Sequence, residues 1–131
     1  MKYSISDLYE RFPELRKIDY SINDAFSILE SSIAKDGTVF TCGNGGSASD
    51  ADHIVGEFLK SFLIRRKVYG KFREDAVKVL GESEGNRISD GLEDGIRAIA
   101  LTSHPAFSTA YANDSSAAMI FAQQLHVLGR K

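Results

Sequence analysis

The sequence predicts an α/β fold in which helices cover a parallel β-sheet. The run "TVFTC" (38–42) is short, β-rich and mostly apolar, which is typical of a strand buried on both faces. A second such run, "IRAIALT" (96–102), follows after a long helical stretch. Strands that alternate with helices form βαβ units, and the strands of such units are parallel.

The N-terminal residues 1–37 are predicted to be helical. Ser6 can cap a short helix that Pro13 interrupts. A longer helix follows, because apolar residues recur there at steps of three, four and seven: Ile22, Ala25, Phe26, Leu29 and Ile33. Asp36 and Gly37 end this helix and turn the chain into the first strand.

The first strand runs into a glycine-rich turn, "GNGGSA" (43–48), which opens a helix predicted over about 47–62. Glycines let the backbone approach a ligand closely, and the start of a helix presents unpaired N–H groups with the positive end of its dipole. Asn44, Ser47 and Ser49 add polar side chains. The turn therefore indicates a cradle for a polar ligand, at the carboxyl end of a strand where open α/β sheets bind ligands. A tight turn in which Ser47 merely caps the helix is the simpler alternative.

The same turn fits the pattern G-x-G-x-x-A of a dinucleotide site. Such a site needs an acidic residue near the end of the next strand, where it binds the ribose hydroxyls. The second strand ends in "ALTS" (100–103) and comes only after a long insertion. A dinucleotide site is therefore disfavoured.

The helix after the turn has an apolar stripe and a polar edge. The stripe consists of Ala51, Ile54, Val55, Phe58 and Phe62. On the edge, His53 and Glu57 are four positions apart, so an imidazole and a carboxylate can share a metal ion or a reacting substrate. A surface hydrogen bond between them is the more common arrangement. Two ligands do not complete a metal site, and His104 and His126 are further candidates only by elimination.

The charged stretch 60–95 is predicted to hold one or two helices, around 70–80 and 87–93, and residues 63–95 are interpreted as a helical insert. Its basic cluster is followed by acidic residues without an aromatic stacking pattern, which favours a solvated insert over a nucleic-acid surface. Residues 103–114 are predicted to form a loop with one helical turn. Asp114 is predicted to cap a last helix from Ser115 to about Leu128.

Composition limits the class of protein. The chain has 131 residues, of which 43% are apolar and 26% charged, and its net charge is −2. We expect a single domain, no direct nucleic-acid partner and no membrane partner, and a soluble, cytoplasmic location, because neither a signal peptide nor a membrane span is visible. The single cysteine, Cys42, is expected to be a buried thiol in the first strand.

Two longer stretches resemble a known family. "CGNGGSASDADHIVGEF" (42–58) is similar to the motif of the phosphoheptose isomerases, a group of sugar isomerase (SIS) domain proteins. "AIALTSHPAFSTAYAND" (98–114), followed by "FAQQLHVLG" (121–129), resembles the second strand, the Asn-Asp pair and the following helix of that family. The resemblance implies a flavodoxin-like parallel sheet between helices, assembled as a homotetramer with active sites between subunits.

The resemblance also implies roles for individual residues in the turn and beyond it. In the family, the segment that matches Asn44, Gly45 and Gly46 holds the sugar phosphate, and the serine that matches Ser47 belongs to the same turn. The Asn-Asp pair that contacts substrate matches Asn113 and Asp114 in this chain.

The resemblance also implies two roles for the residues His53 and Glu57. The residues that match His53 and Glu57 bind zinc in many members, and the glutamate is also the proposed base of the isomerisation. The implied reaction converts sedoheptulose 7-phosphate to a heptose 7-phosphate through an enediol.

Two departures from the family affect these expectations. The segment near 63–95 is longer than in well-known members. In addition, the family continues beyond the point that matches Lys131 with a strand, a Ser-Thr-Ser-Gly loop that grips phosphate, and a helix with a Gln and a His. We therefore expect a partial SIS domain (1–131) carrying half of the catalytic apparatus, with truncation favoured and weak or absent activity.

A second hypothesis comes from another functional class. Some relatives of the isomerases are non-catalytic tetramers that bind the replication initiator protein, so a binding or assembly module is the alternative. A sugar-phosphate sensor that uses the cradle without chemistry is a third hypothesis. The pair His53 and Glu57 favours the enzyme, because a scaffold does not need a zinc-spaced pair.

Overall fold

Helices and strands alternate in the order that the sequence predicts. The computed structural model describes residues 4–129. Its elements are α1 (Ile5–Arg11), a 3₁₀ helix (Pro13–Ile18), α2 (Asp19–Ala34), β1 (Val39–Thr41), α3 (Gly46–Leu59), α4 (Lys71–Leu80), α5 (Glu82–Gly91), β2 (Ala98–Ala100), α6 (Pro105–Tyr111), a π-helical turn (Ala112–Ser116), a second 3₁₀ turn (Ala117–Met119) and α7 (Ile120–Leu128).

The two strands pair in parallel. Val39 lies opposite Ala98, and Thr41 lies opposite Ala100. The ladder extends past the strand ends, since the N–H of Leu101 donates to the Thr41 carbonyl at 2.9 Å. The predicted α/β class with parallel strands is confirmed, and the carboxyl ends of both strands lie at one edge of the sheet.

A small core joins α3 to this sheet. Val55, Ala98 and Ala100 form it, with Val39 and Phe58 packed against it. The apolar stripe predicted for α3 is only partly buried: Ala51 and Val55 are buried, but Ile54 is 46% exposed and Phe62 is 71% exposed. Phe62 differs because α3 ends at Leu59, so its position no longer follows the helical period.

An ion pair lies at the amino end of the sheet. The Arg97 guanidinium, just before β2, donates to both carboxylate oxygens of Asp36 at 2.8 and 3.0 Å. Asp36 lies in the turn between α2 and β1 and has a positive φ of 57°. The pair therefore connects the two loops that lead into the strands.

Helices α4 and α5 form a helical hairpin in the middle of the chain. Gly81 connects them with a φ of 83°. A Cβ on Gly85 would lie 2.4 Å from the Cα of Val77, so the two helix backbones are in close contact there. The ion pair Arg73–Asp90 connects the two helices, Arg87–Glu84 lies within α5, and Arg65–Glu93 joins residues on either side of the hairpin.

Local predictions are wrong after β2 and at the end of β1. Residues 105–111 form helix α6 rather than a loop with one turn, because Pro105 supplies a favourable first residue. Asp114 does not cap the last helix but lies inside the π-helical turn, and α7 starts only at Ile120. Cys42 is exposed, because β1 ends at Thr41 and the thiol falls in the loop.

The predicted cap of the first helix is also wrong. Ser4, not Ser6, precedes α1 and donates its N–H to the Asp7 carboxylate at 2.8 Å.

Within residues 4–129, no helix combines the length and the apolar character that crossing a membrane requires.

Candidate functional site

The glycine-rich turn connects the carboxyl end of β1 to the start of α3. Gly45 has a φ of 59° and a ψ of −127°, a conformation that residues with a Cβ rarely adopt. Gly43 is constrained differently, because a Cβ there would lie 2.3 Å from the Ser47 carbonyl oxygen. Around Gly45 and Gly46, by contrast, no atom lies within 4 Å of an added Cβ. The turn is therefore closely packed at Gly43 and open beside Gly45 and Gly46.

The first turn of α3 has no side-chain cap. The helix starts at Gly46, so Ser47 is its second residue, and no side chain among the described residues hydrogen-bonds to the first N–H groups. The alternative in which Ser47 caps the helix is therefore wrong. Asn44 and Ser47 are exposed, so their polar side chains, like the positive end of the helix dipole, are accessible to a polar ligand.

His53 and Glu57 lie one turn apart on the exposed side of α3. His53 Nε2 is 3.6 Å from Glu57 Oε1, and the two side chains are 75% and 28% exposed. Lys60 Nζ also contacts Glu57, at 2.9 and 3.0 Å from its two carboxylate oxygens. The carboxylate thus has a cation on one side and an imidazole on the other.

The described residues do not complete a zinc site. Tetrahedral zinc takes at least three protein ligands, and His53 and Glu57 supply two. No cluster of three or more His, Cys, Asp or Glu side chains suited to a metal ion occurs within residues 4–129. The ammonium group of Lys60 also lies where it competes with a cation for Glu57.

Asp52 joins α3 to the end of β2. Its Oδ1 accepts hydrogen bonds from Thr102 Oγ1 and Ser103 Oγ, both at 2.7 Å. These hydroxyls, that of Ser103 above all, hold the pKa of Asp52 below its ordinary value of 3.8. We call these three residues the Asp52 clamp. Sequence reasoning did not find it, although two hydroxyl residues directly after a strand are a usable signal.

The segment after β2 holds the remaining candidates. Asn113 and Asp114 lie in the π-helical turn, and the Asn113 amide donates to the Asp114 carboxylate at 2.8 Å. Isolated π-helical turns are frequent at functional sites. Within 4–129, however, no side-chain hydrogen bond connects this pair to the glycine-rich turn. His126 lies in α7 and is exposed.

His104 is held by a buried amide. Its Nδ1 lies 2.9 Å from Gln124 Oε1, and Gln124 is only 5% exposed. Gln124 Nε2 in turn donates to the Leu101 carbonyl at 2.9 Å. His104 thus lies beside the Asp52 clamp, one residue after Ser103, with its ring oriented from α7.

A parallel sheet edge with an open glycine turn, followed by a helix with polar groups, defines an α/β domain of the class that binds ligands at the carboxyl ends of its strands. The structure of phosphoheptose isomerase GmhA from Neisseria gonorrhoeae is similar, with a TM-score of 0.52 at 22% identity, and the match covers 95% of this chain and 54% of that one. At this identity the likeness shows the fold.

The family follows from the sequence comparison. The family model of the SIS domain matches residues 4–79, more than half of the chain. The chain belongs to the SIS domain family.

Curated relatives carry the name phosphoheptose isomerase. The protein of Desulfovibrio desulfuricans is 31% identical over 103 residues, which is 79% of this chain and 36% of the relative. The protein of Burkholderia pseudomallei is 34% identical over 101 residues, and that of Helicobacter pylori 27% over 117 residues. This chain covers 38% and 47% of those two proteins, so it spans less than half the length of these relatives.

Proposed function

We propose that this SIS domain belongs to a phosphosugar isomerase that converts sedoheptulose 7-phosphate to a heptose 7-phosphate. The observation that carries the proposal is the arrangement on α3: an open glycine turn at its start, and His53 and Glu57 two and three turns further along. The name shared by the curated relatives supports the substrate. For the 131-residue chain alone we propose weak or absent turnover.

In the proposed reaction, the turn binds the anionic substrate. Asn44, Gly45, Gly46 and Ser47 supply backbone and side-chain donors, and the helix dipole favours negative charge there. The open space beside Gly45 and Gly46 leaves room for the ligand to approach the backbone. We assign Asn113 and Asp114 to contacts with the sugar hydroxyls, in keeping with their place in a π-helical turn after β2.

Glu57 is proposed as the base. An aldose–ketose exchange requires a group that takes a proton from one carbon and returns it to the next, while the carbonyl is polarised. Each carboxylate oxygen has two lone pairs, so Glu57 can accept a proton even while Lys60 Nζ contacts both oxygens. The Lys60 ammonium also adds positive charge where an enediolate oxygen would develop.

Turnover by the protein expressed from its complete reading frame tests this proposal. Sedoheptulose 7-phosphate should be consumed by the wild type, and Glu57→Gln should lower kcat at least 100-fold, the usual effect of removing a general base. Binding of the substrate should persist in Glu57→Gln, because the turn is unchanged. Equal rates in the two proteins would exclude Glu57 as the base.

Zinc is proposed only as an ion that His53 and Glu57 help to hold. When bound, it would polarise the carbonyl of the substrate. Since the described residues supply two ligands, no step above depends on it. The test is zinc content after dialysis: retention by the wild type and loss in His53→Ala supports the site, whereas equal content in both proteins contradicts it.

We also propose a homotetramer, with active sites between subunits. Large apolar side chains on the surface support association, for example Tyr20 at 83% and Ile64 at 71% exposure. Light scattering on the purified protein measures the mass directly. A monomer at micromolar concentration would contradict the proposal.

A non-catalytic role is the second candidate, either as an assembly module of the type that binds the replication initiator protein or as a sugar-phosphate sensor. The contact between Lys60 and Glu57 is the observation that favours it, because a structural ion pair needs no substrate. Substrate binding without turnover in the wild type would support the sensor, and absence of binding would support the assembly module.

A further inference from the structure

The amide of Gln124 has a fixed orientation. The Leu101 carbonyl can only accept a hydrogen bond, so the group that lies 2.9 Å from it must be the amide nitrogen of Gln124. The same nitrogen lies 3.4 Å from the Ile120 carbonyl, a second group that only accepts. The amide oxygen therefore points away from both carbonyls and towards His104.

This orientation determines which ring nitrogen of His104 carries the proton. An amide oxygen has no hydrogen to donate, so the 2.9 Å contact requires a proton on His104 Nδ1. In the neutral ring the lone pair is then on Nε2. Within residues 4–129, Nε2 has no hydrogen-bond partner. Gln124 thus holds His104 in the tautomer that free histidine in water disfavours. In this tautomer Nε2 is a hydrogen-bond acceptor.

The position of this nitrogen is restrained from two directions. Ser103, the preceding residue, is bound to Asp52 on α3 at 2.7 Å, and Gln124 on α7 holds the ring itself. Gln124 is buried, so its own position is fixed by packing and by the Leu101 carbonyl directly after β2. His104 also lines a hollow of about 240 Å³ with Phe107, Val127 and Leu128. His104 belongs to the segment that follows β2, and the carboxyl ends of parallel strands are where such sheets bind ligands. Its Nε2, which no residue within 4–129 occupies, is therefore placed for a ligand.

We propose that His104 is a further substrate-binding residue, whose Nε2 accepts a hydrogen bond from a sugar hydroxyl, and that Gln124 is the residue that positions it. This inference rests on the proposed phosphosugar function, because a hydroxyl group is the donor that such a substrate offers in number. Gln124 acts only through His104. Its amide oxygen and nitrogen are already engaged by His104 and by the Leu101 carbonyl, and Gln124 is only 5% exposed.

The first experiment reads the tautomer and does not depend on activity. Long-range ¹H–¹⁵N spectra of ¹⁵N-labelled protein, at a pH where the ring is neutral, should show His104 with its proton on Nδ1. Gln124→Met removes the acceptor and should shift the signal to the Nε2–H form. Gln123→Met is the matched control on the same helix, because Gln123 contacts Tyr111 and not His104, and the tautomer should stay unchanged. A wild-type ring protonated on Nε2 would overturn the proposal.

The second experiment measures binding of sedoheptulose 7-phosphate and of inorganic phosphate. His104→Asn keeps an amide N–H near the Nδ1 position and removes the Nε2 acceptor. It should weaken binding of the sugar phosphate roughly 2- to 10-fold, as for one lost hydrogen bond, and leave the affinity for inorganic phosphate unchanged. Gln124→Met should also weaken binding of the sugar phosphate. His104→Asn should keep the wild-type Tm within a few degrees, whereas Gln124→Met should lower it, because the buried Leu101 carbonyl loses its donor.

The outcomes distinguish a failure of the role proposed for His104 from a failure of the proposed phosphosugar function. If the wild type and His104→Asn bind the sugar phosphate equally, the role of His104 is wrong and the proposed function stands. If the wild type binds phosphate but not the sugar phosphate, both fail, and the tautomer then reflects packing alone.

Discussion

The α4–α5 hairpin and the carboxyl edge of the sheet use polar residues in opposite ways. In and around the hairpin, charged groups pair with one another: Arg73 with Asp90, and Arg87 with Glu84. At the sheet edge, donors at the start of α3 and an acceptor on His104 have no side-chain partner among residues 4–129. Polar groups that satisfy each other stabilise structure, whereas groups that a rigid framework leaves unpaired are available to a ligand. The contrast identifies the edge, not the more highly charged hairpin, as the candidate site.

The largest expected effect tests the packing of the hairpin. Gly85→Ala introduces a Cβ that would lie 2.4 Å from Val77 Cα and 2.5 Å from its backbone nitrogen. Because backbone atoms cannot move aside as a side-chain tip can, α4 and α5 must separate. We expect a loss of about 1–3 kcal/mol in the free energy of unfolding, measured by urea denaturation.

Gly91→Ala is the matched control, since it lies in the same helix and an added Cβ there meets no atom within 4 Å. It should leave stability unchanged or slightly raised. If both variants have the wild-type stability, the close contact between the two helices does not exist in solution.

A smaller effect is expected at the sheet edge. Asp52→Ala removes the acceptor for Thr102 and Ser103 and releases the segment that leads to His104. We expect Tm to fall by about 2–4 °C, by differential scanning calorimetry, with a smaller fall for Asp52→Asn because its amide oxygen still accepts. Asp50→Ala, an exposed carboxylate on the same helix, is the control. An equal fall in Asp50→Ala and Asp52→Ala would mean that the clamp contributes nothing.

The smallest effect is a pH dependence in the hairpin. Arg73, with Lys67 and Arg65 nearby, holds the pKa of Asp90 below its ordinary value of 3.8. A carboxyl group with a lowered folded-state pKa stabilises the protein above its unfolded-state pKa, and this contribution is lost as the pH falls through the folded-state value. The Tm difference between wild type and Asp90→Asn should therefore be present at pH 7 and disappear as the pH falls below the ordinary pKa of 3.8 and through the lowered folded-state value.

Asp75→Asn, on the exposed side of α4, serves as the comparison for that titration. Asp75 forms no ion pair within residues 4–129, so this substitution should leave the Tm at pH 7 unchanged. A difference between wild type and Asp90→Asn that stays constant down to pH 2 would show that Asp90 acts through packing and not through its charge.

Sequence patterns predicted the elements that depend on local signals. The parallel strands, the glycine turn and the helix with His53 and Glu57 all follow from neighbouring residues. The Asp52 clamp was not predictable in this way, because Asp52 and Thr102 are 50 positions apart and are brought together only by the sheet.

Local prediction failed where an element boundary moved by a few residues. Cys42 is exposed because β1 ends one residue earlier than its apolar run suggests. Residues 103–114 are predicted to form a loop with one helical turn, but residues 105–111 are helical, and Thr109 donates its hydroxyl to the Pro105 carbonyl at 2.8 Å within that helix. Such back-bonding satisfies the hydroxyl without ending the helix.

The ion pair between Arg97 and Asp36 has a consequence for how the chain folds. The two residues are 61 positions apart, so the parallel strands that they precede can pair only after a long loop has closed. The α4–α5 hairpin lies inside that loop and depends on near neighbours, which form contacts faster. We expect the hairpin to be protected early in a pulse-labelled refolding experiment and the strands late. The candidate site, which needs both strand ends, would then be the last part of the domain to appear.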